Sequence, residues 1–211
     1  MIKVFIADDH SLIREGFKKI LKSEPDIEIA GESADPFDLI NKILNPKIDV
    51  LILDINLPGK SGLDVLKEIK IQIPDQYVLM LSMHPEERFA IRSLKAGASG
   101  YLTKDSAPEE LVKAIRKIAA GGKYISPNLA EALAGGLFSE SAKPAHEILS
   151  DREFQVMHLL ALGKPQSIIA EELSLSLSTV NTYRTRVLEK LNLNSNAELI
   201  HYAIENKLID F

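Results

Sequence analysis

The sequence predicts an α/β domain built on an open, doubly wound, five-stranded parallel sheet, followed by a smaller all-helical domain. Three observations predict it. Residues 1–122 alternate short β-branched apolar runs with helix-period segments, the pattern of a parallel sheet covered by helices. Val50-Leu51-Ile52-Leu53 carries no polar alternation, as a strand buried on both faces requires. From Ser150 onward the strand pattern stops and helical periodicity takes over.

Taken in order, strands are expected at 2–7, 27–31, 50–54, 77–82 and 100–102, and helices between them at 12–21, 36–44, 62–71, 86–96 and 108–120. Asp35-Pro36 supplies an N-cap and a proline at a first helical position. Gly121-Gly122 stops the last helix of the series. Residues 123–146 read as a linker: a short helix at 127–134, then Gly135-Gly136 and a stretch rich in Ser, Ala, Lys and Pro. Ser150-Asp151-Arg152-Glu153 is a capping box that opens a helix to 162. Further helices follow at 166–173, 177–191 and 196–206. The domains are therefore expected at 1–122 and 147–211, joined by 123–146.

Composition narrows the function classes. With 45% hydrophobic and 26% charged residues the 211-residue chain reads as a globular protein of two small domains. No apolar run approaches the roughly 20 residues of a membrane span. Met1 to Ala7 lead straight into Asp8 and Asp9, unlike a secretory signal. The absence of cysteine excludes disulfides and thiolate metal sites. A cytoplasmic protein without a membrane partner is expected. The net charge of −5 argues against indiscriminate nucleic-acid binding. Residues 148–211 hold six Lys and Arg against eight Asp and Glu, so any DNA binding there must use a local basic face.

The strand ends carry the chemistry. Asp8 and Asp9 follow the first strand and Asp54 ends the third, so three carboxylates share the edge where open parallel sheets bind ligands. Like charges so close need a compensating cation. A divalent ion with oxygen ligands, Mg²⁺ above all, fits that need. Lys104 after the fifth strand and Ser82 at the end of the fourth reach the same edge.

With the Asp8-Asp9 pair, Leu53-Asp54-Ile55-Asn56-Leu57-Pro58-Gly59, Ser82 and Tyr101-Leu102-Thr103-Lys104, residues 1–122 resemble a CheY-like receiver domain of flavodoxin-like fold. The resemblance implies that Asp54 accepts a phosphoryl group from a sensor histidine kinase. It implies Mg²⁺ ligation by Asp9, Asp54 and the backbone carbonyl of Asn56, with Asp8 acting through water. Lys104 would neutralise phosphoryl oxygens, Ser82 would bond the new phosphate, and Tyr101 would turn inward behind it. Such a receiver catalyses its own phosphorylation and dephosphorylation but is not an enzyme in the ordinary sense.

Leu149-Ser150-Asp151-Arg152-Glu153, Ala161-Leu162-Gly163, Ile169-Ala170-Glu171, Thr179-Val180 and Leu188-Glu189-Lys190-Leu191 resemble the LuxR-type helix-turn-helix of the NarL/FixJ class. The resemblance implies a DNA-reading helix at 177–191, with Ser178, Thr179, Asn181, Thr182 and Thr185 toward the DNA and Arg184, Arg186 and Lys190 on phosphates. It also implies RNA polymerase as a partner and a homodimer formed on phosphorylation. Two departures stand out: Asn181 replaces the usual lysine, and Tyr183 the usual histidine. Asn181 suits bidentate reading of adenine. The apolar stripe Leu199, Ile200, Ala203 and Ile204 of the last helix serves either as core or as a pairing surface.

Two other functions compete. One is a receiver acting through protein contacts, with a C-terminal domain that does not bind DNA. The other is an aspartate-dependent phosphohydrolase of the haloacid-dehalogenase type. That type places its two aspartates two residues apart after the first strand, whereas Asp8 and Asp9 are adjacent and Asp54 lies on the third.

Overall fold

Five parallel strands, β1 (Ile2–Ala7), β2 (Ile27–Ser33), β3 (Val50–Asp54), β4 (Tyr77–Ser82) and β5 (Gly100–Thr103), pair in the order β2-β1-β3-β4-β5. This computed structural model describes residues 1–44, 47–83, 86–106, 108–126, 129–131, 145–206 and 208–209, with 86–88 as backbone alone. The chain divides into two units, Met1–Phe138 and Ser139–Phe211.

The strand order puts β1 beside β3 at the centre, with Ala7 opposite Leu53. Every residue of β3 is buried, the arrangement its unalternating sequence calls for. The helices of the first unit are α1 (Ser11–Lys22), α2 (Leu39–Leu44), α3 (Gly62–Gln72), α4 (Glu86–Lys95) and α5 (Pro108–Ala119). On α5 the buried positions Leu111, Val112, Ala114, Ile115 and Ile118 follow helical spacing and join Val4, Ile6, Ile52 and Leu79 in one core. Each large aliphatic side chain so buried contributes about 1.5–3 kcal/mol.

Most elements lie within a residue of their expected limits, and two differ. Helix α2 begins at Leu39 rather than at 36. The Asp35 carboxylate accepts from the Phe37 amide at 2.8 Å, closing a local turn that competes with the helix. Strand β2 continues to Ser33, which pairs with Ala7. Its register against β1 shifts between Val4 and Phe5, where Gly31 faces the Phe5 ring; a Cβ on Gly31 would stand 2.7 Å from that ring. Of the expected linker, the short helix lies mostly, and the Gly- and Ser-rich stretch almost entirely, outside the described residues.

In the second unit a 3₁₀ turn (Ala145–Ile148) leads into α6 (Asp151–Ala161), α7 (Gln166–Glu172), α8 (Leu177–Leu191) and α9 (Asn196–Glu205). The capping box at α6 is complete: the Glu153 amide donates to Ser150 Oγ at 3.3 Å and the Ser150 amide donates to Glu153 Oε2 at 2.7 Å. Ser176 and Ser195 cap α8 and α9 more simply, each side chain accepting from a first-turn amide, of Thr179 and Glu198. Between α7 and α8 the chain turns through Ser174 at φ 51°, its following amide Leu175 bonding to the Ala170 carbonyl at 2.8 Å. Val180, Val187, Leu188 and Leu191 form the buried side of α8. Among the described residues no helix is long and apolar enough to cross a membrane.

Candidate functional site

The parallel sheet delivers the ends of β1, β3, β4 and β5 to one edge, and a buried ionic cluster forms there. Lys104 Nζ lies 2.7 Å from Asp54 Oδ2 and 2.7 Å from Asp8 Oδ2, with all three side chains at most 3% exposed. The Lys104 backbone contributes to its own placement, its amide donating to the Ser82 carbonyl at 2.8 Å. The other Asp8 oxygen accepts from the His10 amide at 2.8 Å. Asp54 Oδ1 accepts from the Asn56 amide at 3.2 Å.

Helix α3 holds the far side of Asp54. Ser61 caps it, its hydroxyl accepting from the Leu63 amide at 3.3 Å, and Gly62 rests directly on the Asp54 carbonyl. A Cβ at Gly62 would overlap that oxygen. Glycine therefore lets the helix start approach the strand end.

Burial pushes the Asp54 carboxyl up to about 7, a rise that the neighbouring Asp8 charge reinforces and Lys104 opposes. Burial also works against the Lys104 charge, but its carboxylate partners outweigh that and hold the ammonium above its ordinary range. One lysine thus leaves the aspartates short of positive charge. Ligand atoms of Asp8, Asp9, His10 and Asp54 all lie within 4.8 Å of one another. This mostly oxygen donor set, short of positive charge, fits a hard divalent cation such as Mg²⁺.

Ser82 and Tyr101 are both fully buried. Tyr101 already occupies the interior, so an inward turn of this ring is not available from this conformation. His10 escaped the sequence reading. Its Nδ1 stands 2.7 Å from Asp9 Oδ1 and 3.3 Å from Asp8 Oδ1. The signal was its place directly after the aspartate pair.

On α8, Ser178, Asn181, Thr182, Thr185 and Arg186 are exposed, while Thr179 and Arg184 are half-buried. Two of the three expected phosphate-binding cations are engaged within the unit. Arg184 Nε donates to Asn196 Oδ1 at 2.7 Å, tying α8 to the first turn of α9. Lys190 Nζ donates to Glu153 Oε2 at 2.6 Å, tying α8 to the capping box of α6. Burial raises the Glu153 carboxyl, yet Lys190 and the Ser150 amide outweigh it and leave the carboxyl below its ordinary range.

Residues 4–116 match the family described as response regulator receiver domain, and residues 147–203 match the bacterial regulatory proteins of the luxR family. The chain is 36% identical to the oxygen regulatory protein NreC of Staphylococcus carnosus, across the full length of both. It is 36% identical to the response regulator UvrY of Escherichia coli, over 99% of this chain and 96% of that one. Among solved structures it resembles RcsB from Salmonella enterica serovar Typhimurium bound to promoter rprA in the presence of the phosphomimetic BeF3−. That likeness has a TM-score of 0.64 and 27% identity, covering 96% of this chain and 98% of the other.

Proposed function

Because the chain belongs to the two-component response regulators with a LuxR-type DNA-binding domain, we propose that Asp54 is its phosphoacceptor and that phosphorylation drives pairing of two chains on DNA. The observation that carries this reading is the buried Asp54 carboxylate facing Lys104 Nζ at 2.7 Å beside Asp8.

The phosphoryl donor is a phosphohistidine of a sensor histidine kinase. A carboxylate oxygen of Asp54 attacks phosphorus, and a P–O bond forms as the P–N bond to the donor imidazole breaks; the imidazole leaves and takes up a proton. Lys104 follows the charge, pairing with phosphoryl oxygens in place of the carboxylate. Asp9, Asp54 and the Asn56 carbonyl would hold Mg²⁺ directly and Asp8 through water; when bound it supplies further neutralisation of the phosphoryl oxygens. Hydrolysis of the acyl phosphate by water returns the carboxylate. The chain is a regulator rather than an enzyme with an external substrate.

Ser82 bonds the new phosphate through its hydroxyl. With Tyr101 already inward, the phosphoryl group acts by holding that arrangement rather than by creating it, a shift in population. The paired chains bind duplex DNA through α8 and engage RNA polymerase in the cytoplasm. Incubation with Mg²⁺ and acetyl phosphate tests the first step: one acid-labile phosphoryl group is expected on the wild type and none on Asp54→Asn. Equal labelling of both proteins contradicts the assignment.

A further inference from the structure

The serine and threonine hydroxyls along α8 are bonded within the helix and its cap. Thr182 Oγ1 donates to the Ser178 carbonyl at 2.9 Å, and Thr185 Oγ1 donates to the Asn181 carbonyl at 3.1 Å. Ser178 and Thr179 share their hydroxyls with Ser176, at 2.8 and 2.7 Å. A threonine whose hydroxyl bonds back to the helix presents its methyl group outward.

Leu177, Asn181 and Thr185 stand in one i, i+4, i+8 row on α8. Leu177 is a large apolar side chain, 55% exposed at the start of the helix, in a position where burial does not account for it. Asn181 and Thr185 beside it are exposed too. Among the described residues the Asn181 amide has no side-chain partner. The row therefore offers an apolar group, a carboxamide and a methyl group, and no cation. A carboxamide pairs with both N6 and N7 of adenine, and apolar groups match the thymine methyl, whereas guanine is met best by a cation.

We propose that this row reads A·T base pairs in the major groove, Asn181 through the adenine edge and Leu177 and Thr185 through thymine methyl groups. The inference rests on the DNA-binding reading above and adds its base preference. Arg186, on the adjacent row, supplies a backbone contact. Glu189, a turn beyond Thr185, is exposed and acidic, which confines groove contacts to the N-terminal half of α8.

The test uses the full chain treated with beryllofluoride. Selection from random duplexes is expected to give A·T pairs at the centre of each half-site. In the selected duplex, replacing contacted thymines by deoxyuridine removes only the methyl groups and should weaken binding about fourfold per methyl. Thr185→Val should keep that sensitivity and Thr185→Ser should lose its share, because the hydroxyl is spent on the helix. Leu177→Ala should lose its share likewise. Asn181→Ala should reduce discrimination for adenine by roughly tenfold. Tight binding to G·C-centred half-sites, or equal affinity for thymine and deoxyuridine duplexes, overturns the proposal while leaving DNA binding intact. Failure to bind any duplex overturns the parent reading and this one together.

Discussion

Lys104 Nζ stands 2.7 Å from Asp54 Oδ2, with Lys104 at 3% and Asp54 at 1% side-chain exposure. The pair spans β3 and β5, two strands that do not touch each other, since β4 runs between them. Its geometry therefore depends on the whole sheet, and the sheet in turn carries a carboxylate that is hard to ionise.

That cost should appear as a pH dependence. Asp54 binds its proton up to about 7 in the folded chain and up to roughly 3.9 when unfolded. Between those values the folded state holds the proton and the unfolded state does not. The stability associated with the protonated group is present below about 4 and is lost as pH rises to about 7. The metal-free melting temperature should fall across this window, and should fall less in Asp54→Asn. Saturating Mg²⁺ at neutral pH should restore the wild type. Identical pH profiles for the two proteins would refute the assignment of the cost to Asp54.

Mg²⁺ affinity should depend on Asp9 far more than on Glu131, an exposed carboxylate that is not part of the Asp8, Asp9, His10 and Asp54 cluster. Asp9→Ala removes a ligand charge and should weaken binding by about tenfold or more, read by calorimetric titration, with slower acetyl phosphate labelling. Unchanged affinity would contradict its role as a ligand.

Gly62→Ala should damage stability and site together. A Cβ there overlaps the Asp54 carbonyl, so strand end and helix start must separate, at a cost of about 3 kcal/mol or more. Slower phosphorylation should accompany a lower melting temperature. A variant as stable and as reactive as the wild type would show that this approach is not tight.

Lys190 and Arg186 should separate structure from recognition. Lys190→Ala leaves the buried Glu153 carboxylate without its ammonium, a loss of about 1 kcal/mol because the lysine is partly solvated. The second unit should melt about 4–8 °C lower, with little change in the salt dependence of DNA binding. Arg186→Ala should leave melting unchanged and reduce the salt slope by about 1. The reverse pattern would assign the phosphate contact to Lys190.

The convergence of Asp8, Asp9, Asp54 and Lys104 was legible because a parallel sheet sends every strand end to one edge, whatever the loops do. The buried side of α8 was legible from periodicity, and the capping box at Ser150 from its spacing. What escaped depends on groups meeting across elements. Nothing local marks Lys190 as the partner of Glu153, or Arg184 as that of Asn196, since each pairing needs the packed helices. The start of α2 was misplaced because the Asp35 carboxylate serves a turn as readily as a helix cap. The inward setting of Tyr101 is a side-chain choice that no spacing encodes.

A phosphoryl group on Asp54 is expected to pair two chains and so to tighten DNA binding. A unit with net negative charge and two cations tied internally should bind alone weakly, while linked modules gain about 10²–10⁴ in affinity without new contacts. The most direct measurement is sedimentation of the full chain with a fluorescent duplex at fixed salt, comparing untreated, beryllofluoride-treated and Asp54→Asn protein. Only the beryllofluoride-treated wild type is expected to sediment as a dimer on the duplex, with an affinity at least about tenfold tighter, equivalent to roughly 1.4 kcal/mol of coupling. The same mass and the same affinity in all three samples would contradict it.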